Sequence, residues 1–116
     1  MTITPFIITT IVCDVTECPY HLLVSRSRKR MYVQARQISA YLIWNEFSTR
    51  ETPEKRMSLK KIADILGLCN HATVIHSKTA VENEMQTNND FWMLVKTIEE
   101  RIEEVKNTEQ NFAVAV

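Results

Sequence analysis

Gly67-Leu68-Cys69-Asn70-His71-Ala72-Thr73-Val74-Ile75-His76-Ser77-Lys78 is the stretch from which the rest of the chain is read. Gly67 is the only glycine among 116 residues, and it follows a helix-like run over residues 58–66. Glycine adopts the left-handed conformation just past a helix end at least cost. Three residues on, Asn70 carries an N-cap side chain, with an oxygen able to accept from the backbone N–H of Ala72 or Thr73. Val74, Val81 and Met85 then recur at helical spacing, which predicts a second helix to about residue 86. Helix, short glycine turn and helix form the helix-turn-helix pattern, although the turn alone also fits any helical hairpin. The second helix opens with His71, Ala72 and Thr73, followed by Ile75 and His76, with no carboxylate among them. A helix end entering a DNA major groove needs such residues: hydrogen-bonding groups for base edges, methyls for thymine, and nothing that repels phosphate.

Upstream, Ser25-Arg26-Ser27-Arg28-Lys29-Arg30 has four basic residues in six and no apolar one. It reads as a solvated loop or as an arm for phosphates and the minor groove, where arginine is drawn to the negative potential of A·T-rich segments. Residues 33–47 read as a helix whose apolar face holds Ala35, Ile38, Leu42, Trp44 and Phe47, with Arg36 and Gln37 off that face.

Together these stretches resemble the C-terminal DNA-binding domain (domain IV) of the bacterial replication initiator family DnaA. Asn70-His71-Ala72-Thr73-Val74-Ile75-His76-Ser77 is similar to the family signature Asp-His-Ser/Thr/Ala-Thr-Val-Leu/Ile-His-Ala. The basic loop and Val33-Gln34-Ala35-Arg36-Gln37-Ile38-Ser39-Ala40-Tyr41-Leu42 are similar to the family's loop and the helix after it. The resemblance runs from about residue 11 to about residue 104. It implies Arg28 in the minor groove, Arg26, Lys29 and Arg30 near phosphates, and Arg36 and Gln37 on the DNA backbone. Lys60 and Lys61, on the outer face of the preceding helix, are further phosphate candidates. Asn70, His71, Ala72, Thr73, Ile75, His76 and Lys78 complete the DNA-binding set. Three features depart from the family pattern. Asn70 stands for the usual Asp, Cys69 stands for a charged or polar residue, and the loop over residues 48–56 is longer.

The formal net charge is zero, but its distribution is uneven. Residues 20–78 hold 11 Lys/Arg against 4 Asp/Glu, and residues 79–116 hold 3 against 8. This predicts a basic binding side, which contains both motifs, and an acidic back. A 45% apolar content supports one packed domain, and one glycine with three prolines disfavours a turn-rich β sandwich. No Gly-x-x-x-x-Gly-Lys-Ser/Thr is present, so no nucleotide partner or ATPase is expected. Cys13, Cys18 and Cys69 are odd in number and irregularly spaced, as in reduced thiols, and His71 and His76 do not share a helix face, so no metal or other cofactor is expected. Residues 1–10 are apolar but too short to span a bilayer and lack a basic leader, so no membrane partner is expected. No catalytic Ser-His-Asp or Cys-His arrangement stands out, and Cys69 near His71 lies within the turn itself.

Elsewhere, Thr4-Pro5 predicts a helix start, with Ile7, Ile11 and Val15 sharing a face, though the β-branched content also admits a strand. Thr16 or Cys18 is placed to cap a short helix that docks Leu22 and Leu23. Ser58 is placed to cap a helix with Leu59, Ile62, Ala63 and Leu66 inward. Asp90 is placed to cap a last helix with Phe91, Leu94, Val95, Ile98 and Ile102 inward and Glu99, Glu100, Glu103 and Glu104 outward. Residues 105–116 read as a mobile end.

The expected architecture is all-α: a compact bundle of about six helices around a central helix-turn-helix, similar to DnaA domain IV and the Trp-repressor-like fold, over residues 1–104. The expected partner is double-stranded DNA with a short A·T-containing site, together with replication proteins, in the cytoplasm of a bacterium or as a phage product. The alternatives are a helix-turn-helix transcription regulator and an interaction adaptor that kept the fold. The presence of Arg28, Arg36, Gln37, His71 and Thr73 favours DNA over the adaptor.

Overall fold

The computed structural model describes the backbone of residues 3–48, 56–68 and 70–115, and side chains up to Thr108. Most of the loop at residues 48–56, and Cys69, which stands for the family's charged or polar residue, lie outside the described residues. Six helices and no strand are present among the described residues: α1 Pro5–Thr16, α2 Tyr20–Leu23, α3 Arg30–Phe47, α4 Leu59–Leu66, α5 His71–Thr87 and α6 Asn89–Ala115. None is long and apolar enough to cross a membrane.

Local chemistry sets the ends. Thr4 caps α1, its Oγ1 accepting from the Ile7 N–H at 3.2 Å, and Pro5 opens the first turn. The β-branched run therefore forms a helix, which buries Ile8, Thr9, Ile11 and Val12. Buried Thr9 satisfies its hydroxyl locally, donating to the Phe6 carbonyl at 2.9 Å. Helix α1 ends at Glu17, which is left-handed (φ 59°) without being glycine, and the Cys18 N–H closes the turn onto the Cys13 carbonyl at 3.1 Å.

Two expected caps differ. Pro19 precedes α2 with no side-chain cap, because Thr16 donates back to the Val12 carbonyl and Cys18 is buried. Leu23 docks in the core, while Leu22 is half-buried. Asn88 rather than Asp90 caps α6, its Oδ1 accepting from the Phe91 N–H at 3.1 Å. Asp90 instead sits in the first turn, where its charge suits the helix dipole.

Helix α3 begins three residues ahead of the expected Val33, since nothing from Arg30 to Tyr32 breaks a helix. It is the central element and packs on α1, α2, α4 and α5. Its buried side includes Ala35, Ile38, Ala40, Leu42, Ile43 and Phe47, while Trp44 is only partly covered. Helix α6 closes the far side against α1 and α5 with Phe91, Val95, Ile98 and Ile102 buried. It continues through Ala115, past the expected boundary at 104. Val105 packs on the core, and the Lys106 Nζ donates to Glu46 at 2.7 Å and to Glu103 at 3.3 Å. Burial alone lowers the Lys106 pKa, but the hydrogen bonds and charges of Glu46 and Glu103 outweigh it and leave the pKa raised.

Candidate nucleic-acid interface

Helix α4 is capped by Ser58, whose Oγ accepts from the Lys61 N–H at 3.1 Å. At its other end the Leu68 N–H reaches the Ala63 carbonyl at 2.8 Å, and the Gly67 N–H reaches Asp64 at 3.4 Å. This is a Schellman closure with Gly67 at φ 70°. The glycine has a second reason: a Cβ there would overlap the Val24 carbonyl oxygen. The turn ahead of α5 is thus in backbone contact with the point where the basic loop begins.

Asn70 caps α5, its Oδ1 accepting from the Thr73 N–H at 3.2 Å and from the Thr73 hydroxyl at 3.4 Å. Thr73 is therefore partly engaged in bracing the helix start, and its hydroxyl bond is long enough to exchange for another partner. Val74, Ser77 and Val81 hold the helix against the core. Asn70, His71, Ala72, Ile75 and His76 face solvent. Ile75 is 49% exposed, an unpartnered β-branched side chain on the outer face. Lys78 is half-buried and pairs with Glu82 at 3.3 Å, so its charge is partly answered within α5.

The basic loop alternates. Ser25 and Ser27 turn inward and are half-covered, while Arg26, Arg28, Lys29 and Arg30 are exposed. The Ser25 hydroxyl donates to the Leu22 carbonyl at 2.7 Å and accepts from the Ser27 N–H at 3.2 Å. The Ser27 hydroxyl accepts from the Lys29 N–H at 3.3 Å. Lys29 also lies over the Tyr32 ring, 5.6 Å from its centroid. No side-chain oxygen caps α3, so the positive end of its dipole adds to the loop's charge. The loop leaves Val24 against the Gly67 turn and arrives at Arg30, whose guanidinium is 4.0 Å from Glu84 well along α5. Loop and α5 therefore run side by side. A cleft of about 180 Å³ where the start of α3 meets the loop end and α5 is lined by Arg28, Arg30, Val33, Gln34, Gln37 and Glu84.

Arg36 departs from the expected surface position. It is only 7% exposed, the one buried charged side chain among the described residues. Its Nε donates to the Leu23 carbonyl at 2.6 Å, one terminal nitrogen to Leu22 at 3.2 Å, and both to Ser27 at 3.3 Å. Burial lowers its pKa, with the nearby Cys18 sulfur acting the other way, and a guanidinium stays charged under both influences. Gln37, one residue on, remains half-exposed at the cleft, and Lys60 and Lys61 are exposed on α4. Ser25, Ser27, Gln34 and Glu84 are participants that the sequence reading passes over. The Ser-Arg alternation marks the two serines and the i, i+3 spacing to Gln37 marks Gln34, but nothing in the sequence marks Glu84.

A separate cleft of about 380 Å³ between α1, α3 and α6 is lined by Glu46, Glu99 and Glu103 with Lys96 and Lys106. Its carboxylates and internal ion pairs make a poor phosphate surface.

An exposed, carboxylate-free helix start behind a glycine turn, flanked by a basic arm, defines a helix-turn-helix domain of the nucleic-acid-binding kind. Residues 6–81 match the family described as bacterial dnaA protein helix-turn-helix, and the chain belongs to that family. Similar proteins include chromosomal replication initiator protein DnaA of Porphyromonas gingivalis, 40% identical over 78 residues, which cover 67% of this chain and 15% of that protein. The protein of the same name from Bacteroides thetaiotaomicron is 34% identical over 91 residues, 77% of this chain and 17% of its own length. That of Flavobacterium psychrophilum is 33% identical over 92 residues, covering 79% and 18%. The chain thus spans about a sixth of the length of these relatives.

Proposed function

We propose that this chain binds double-stranded DNA at short A·T-containing sites, in the control of replication initiation, and does so without hydrolysing nucleotide. The observation that carries the reading is the pairing of two exposed elements: the first turns of α5, with His71, Ala72, Ile75 and His76 outward, and the parallel basic loop. A helix start of this kind fits a major groove, and a loop lying alongside it reaches the adjacent backbone and minor groove. Base choice falls to His71, Ala72 and Thr73, with Asn70, Ile75 and His76 assisting; the Asn70 amide can donate as well as accept. Arg28 enters the minor groove, and Arg26, Lys29, Arg30, Gln37, Lys60, Lys61 and Lys78 meet phosphates. The role in replication is carried by the names of the relatives, and the absence of nucleotide chemistry by the lack of a P-loop in these residues.

Selection of bound sequences from random duplexes tests this. A short enriched motif containing A·T pairs is expected. Retention without enrichment would contradict base reading, and no retention at all would leave a protein-binding role for the fold.

A further inference from the structure

Of the basic side chains described between residues 20 and 78, Arg36 alone is buried, and its fork is spent on carbonyls at both ends of one short path. The Leu22 and Leu23 carbonyls belong to the end of α2, where helical acceptors lack intrahelical donors. The Ser27 carbonyl belongs to the middle of the basic loop. Between them the Ser25 and Ser27 hydroxyls relay hydrogen bonds along the backbone to Lys29. We propose that Arg36 and this serine relay form a clasp that fixes the path of residues 24–29, so that Arg26 and Arg28 are held outward together. Arg36 is then a positioning residue, not a phosphate contact.

The inference rests on the DNA reading for its consequence but not for its geometry. A planar guanidinium offers five donors in a fixed fork and spans three carbonyls at once. A lysine ammonium offers three donors at one point and cannot. A loop ordered before binding spares the complex the cost of ordering it, and an arginine entering a narrow groove benefits most from being aimed in advance.

The test uses the full chain and the variant Arg36→Lys, which keeps the charge and removes the fork. Amide hydrogen exchange is read by NMR in the free protein at Ser25, Ser27 and Lys29. Affinity is read on two duplexes that share one site but differ in an A·T-rich or G·C-rich minor-groove flank. Exchange at the three amides is expected to rise at least about tenfold while α3, α5 and α6 stay protected. The preference for the A·T flank is expected to fall as far as in Arg28→Ala, with no further fall in the double variant. Unchanged loop exchange overturns the clasp. A loosened loop with the full A·T preference retained overturns its role in presenting Arg28. A wild-type chain that binds neither duplex, or both alike, overturns that presenting role through the DNA reading, while the exchange result still decides the clasp. If Arg36→Lys does not fold, Ser25→Ala probes the relay from the loop side. Faster exchange at Ser27 with a partial loss of A·T preference is expected, and no change in either overturns the relay.

Discussion

Gly67 carries two constraints in one residue: a left-handed backbone and a carbonyl where a Cβ would lie. Gly67→Ala is therefore expected to lose about 2–4 kcal/mol, the sum of backbone strain and a forced shift of Val24, measured by urea unfolding. A loss below half a kcal/mol would mean the turn is not held as described. The cysteines give a pH test. Burial, with Cys18 nearby, pushes the Cys13 thiol up to about 11 from an ordinary 9.0, and burial also raises Cys18. An acid raised on folding stabilises fully below its unfolded pKa and loses that contribution as pH climbs through the folded one. Stability should thus be flat with respect to these thiols up to about pH 9 and fall toward pH 11, and Cys13→Ala should flatten the fall. A fall of equal steepness in the variant would remove Cys13 from the explanation. The same scale shows where sequence reading stops. Gly67 was legible because glycine has few reasons to sit there, whereas Glu17 takes the same left-handed position with no residue-type signal. Arg36 departs from its expected place because a face pattern assigns charge to solvent, and it cannot see two carbonyls from the end of a four-residue helix and one from the basic loop converging on the guanidinium.

Among the elements, the long helices were legible from apolar spacing and caps: Thr4, Ser58 and Asn70 all accept as their positions implied. The start of α3 and the cap of α6 were not, because Lys29 and Asp90 compete with neighbours of equal propensity. The basic loop was legible as basic but not as ordered. Its order lies in hydroxyls bonding backbone within a few residues. Arg28→Ala is expected to lower the log–log salt slope of binding by about 1, and to lose affinity mainly on a site with an A·T-rich minor-groove segment. Titrations at several salt concentrations on A·T-rich and G·C-rich versions of the site check both. Equal losses on the two would reduce Arg28 to a phosphate contact.

In the whole molecule the basic residues Arg26, Arg28, Lys29, Lys60 and Lys61 are exposed on the loop and α4, and Glu99, Glu100, Glu103 and Glu104 line a cleft along α6, while Glu84 of the acidic half sits beside Arg30. The six-helix fold was legible because glycine turn, basic loop and apolar stripes agree with one another. The contacts of Val105 and Lys106 past residue 104 were not legible, since the first packs on the core and the second pairs with distant Glu46. Truncation after Glu104 removes Val105 and the Lys106–Glu46 pair, and is expected to cost about 1–2 kcal/mol in chemical unfolding. An unchanged midpoint would show that these contacts add nothing. The central claim is that α5 reads base sequence, and the most direct measurement is the ratio of affinities for the selected duplex and a shuffled one, in wild type and in folded His71→Ala. The wild-type ratio is expected to reach at least about 10³, and losing one base contact should cut it by about 1–3 kcal/mol while affinity for the shuffled duplex barely changes. A ratio near one in the wild type, or the same ratio in both proteins, would contradict it.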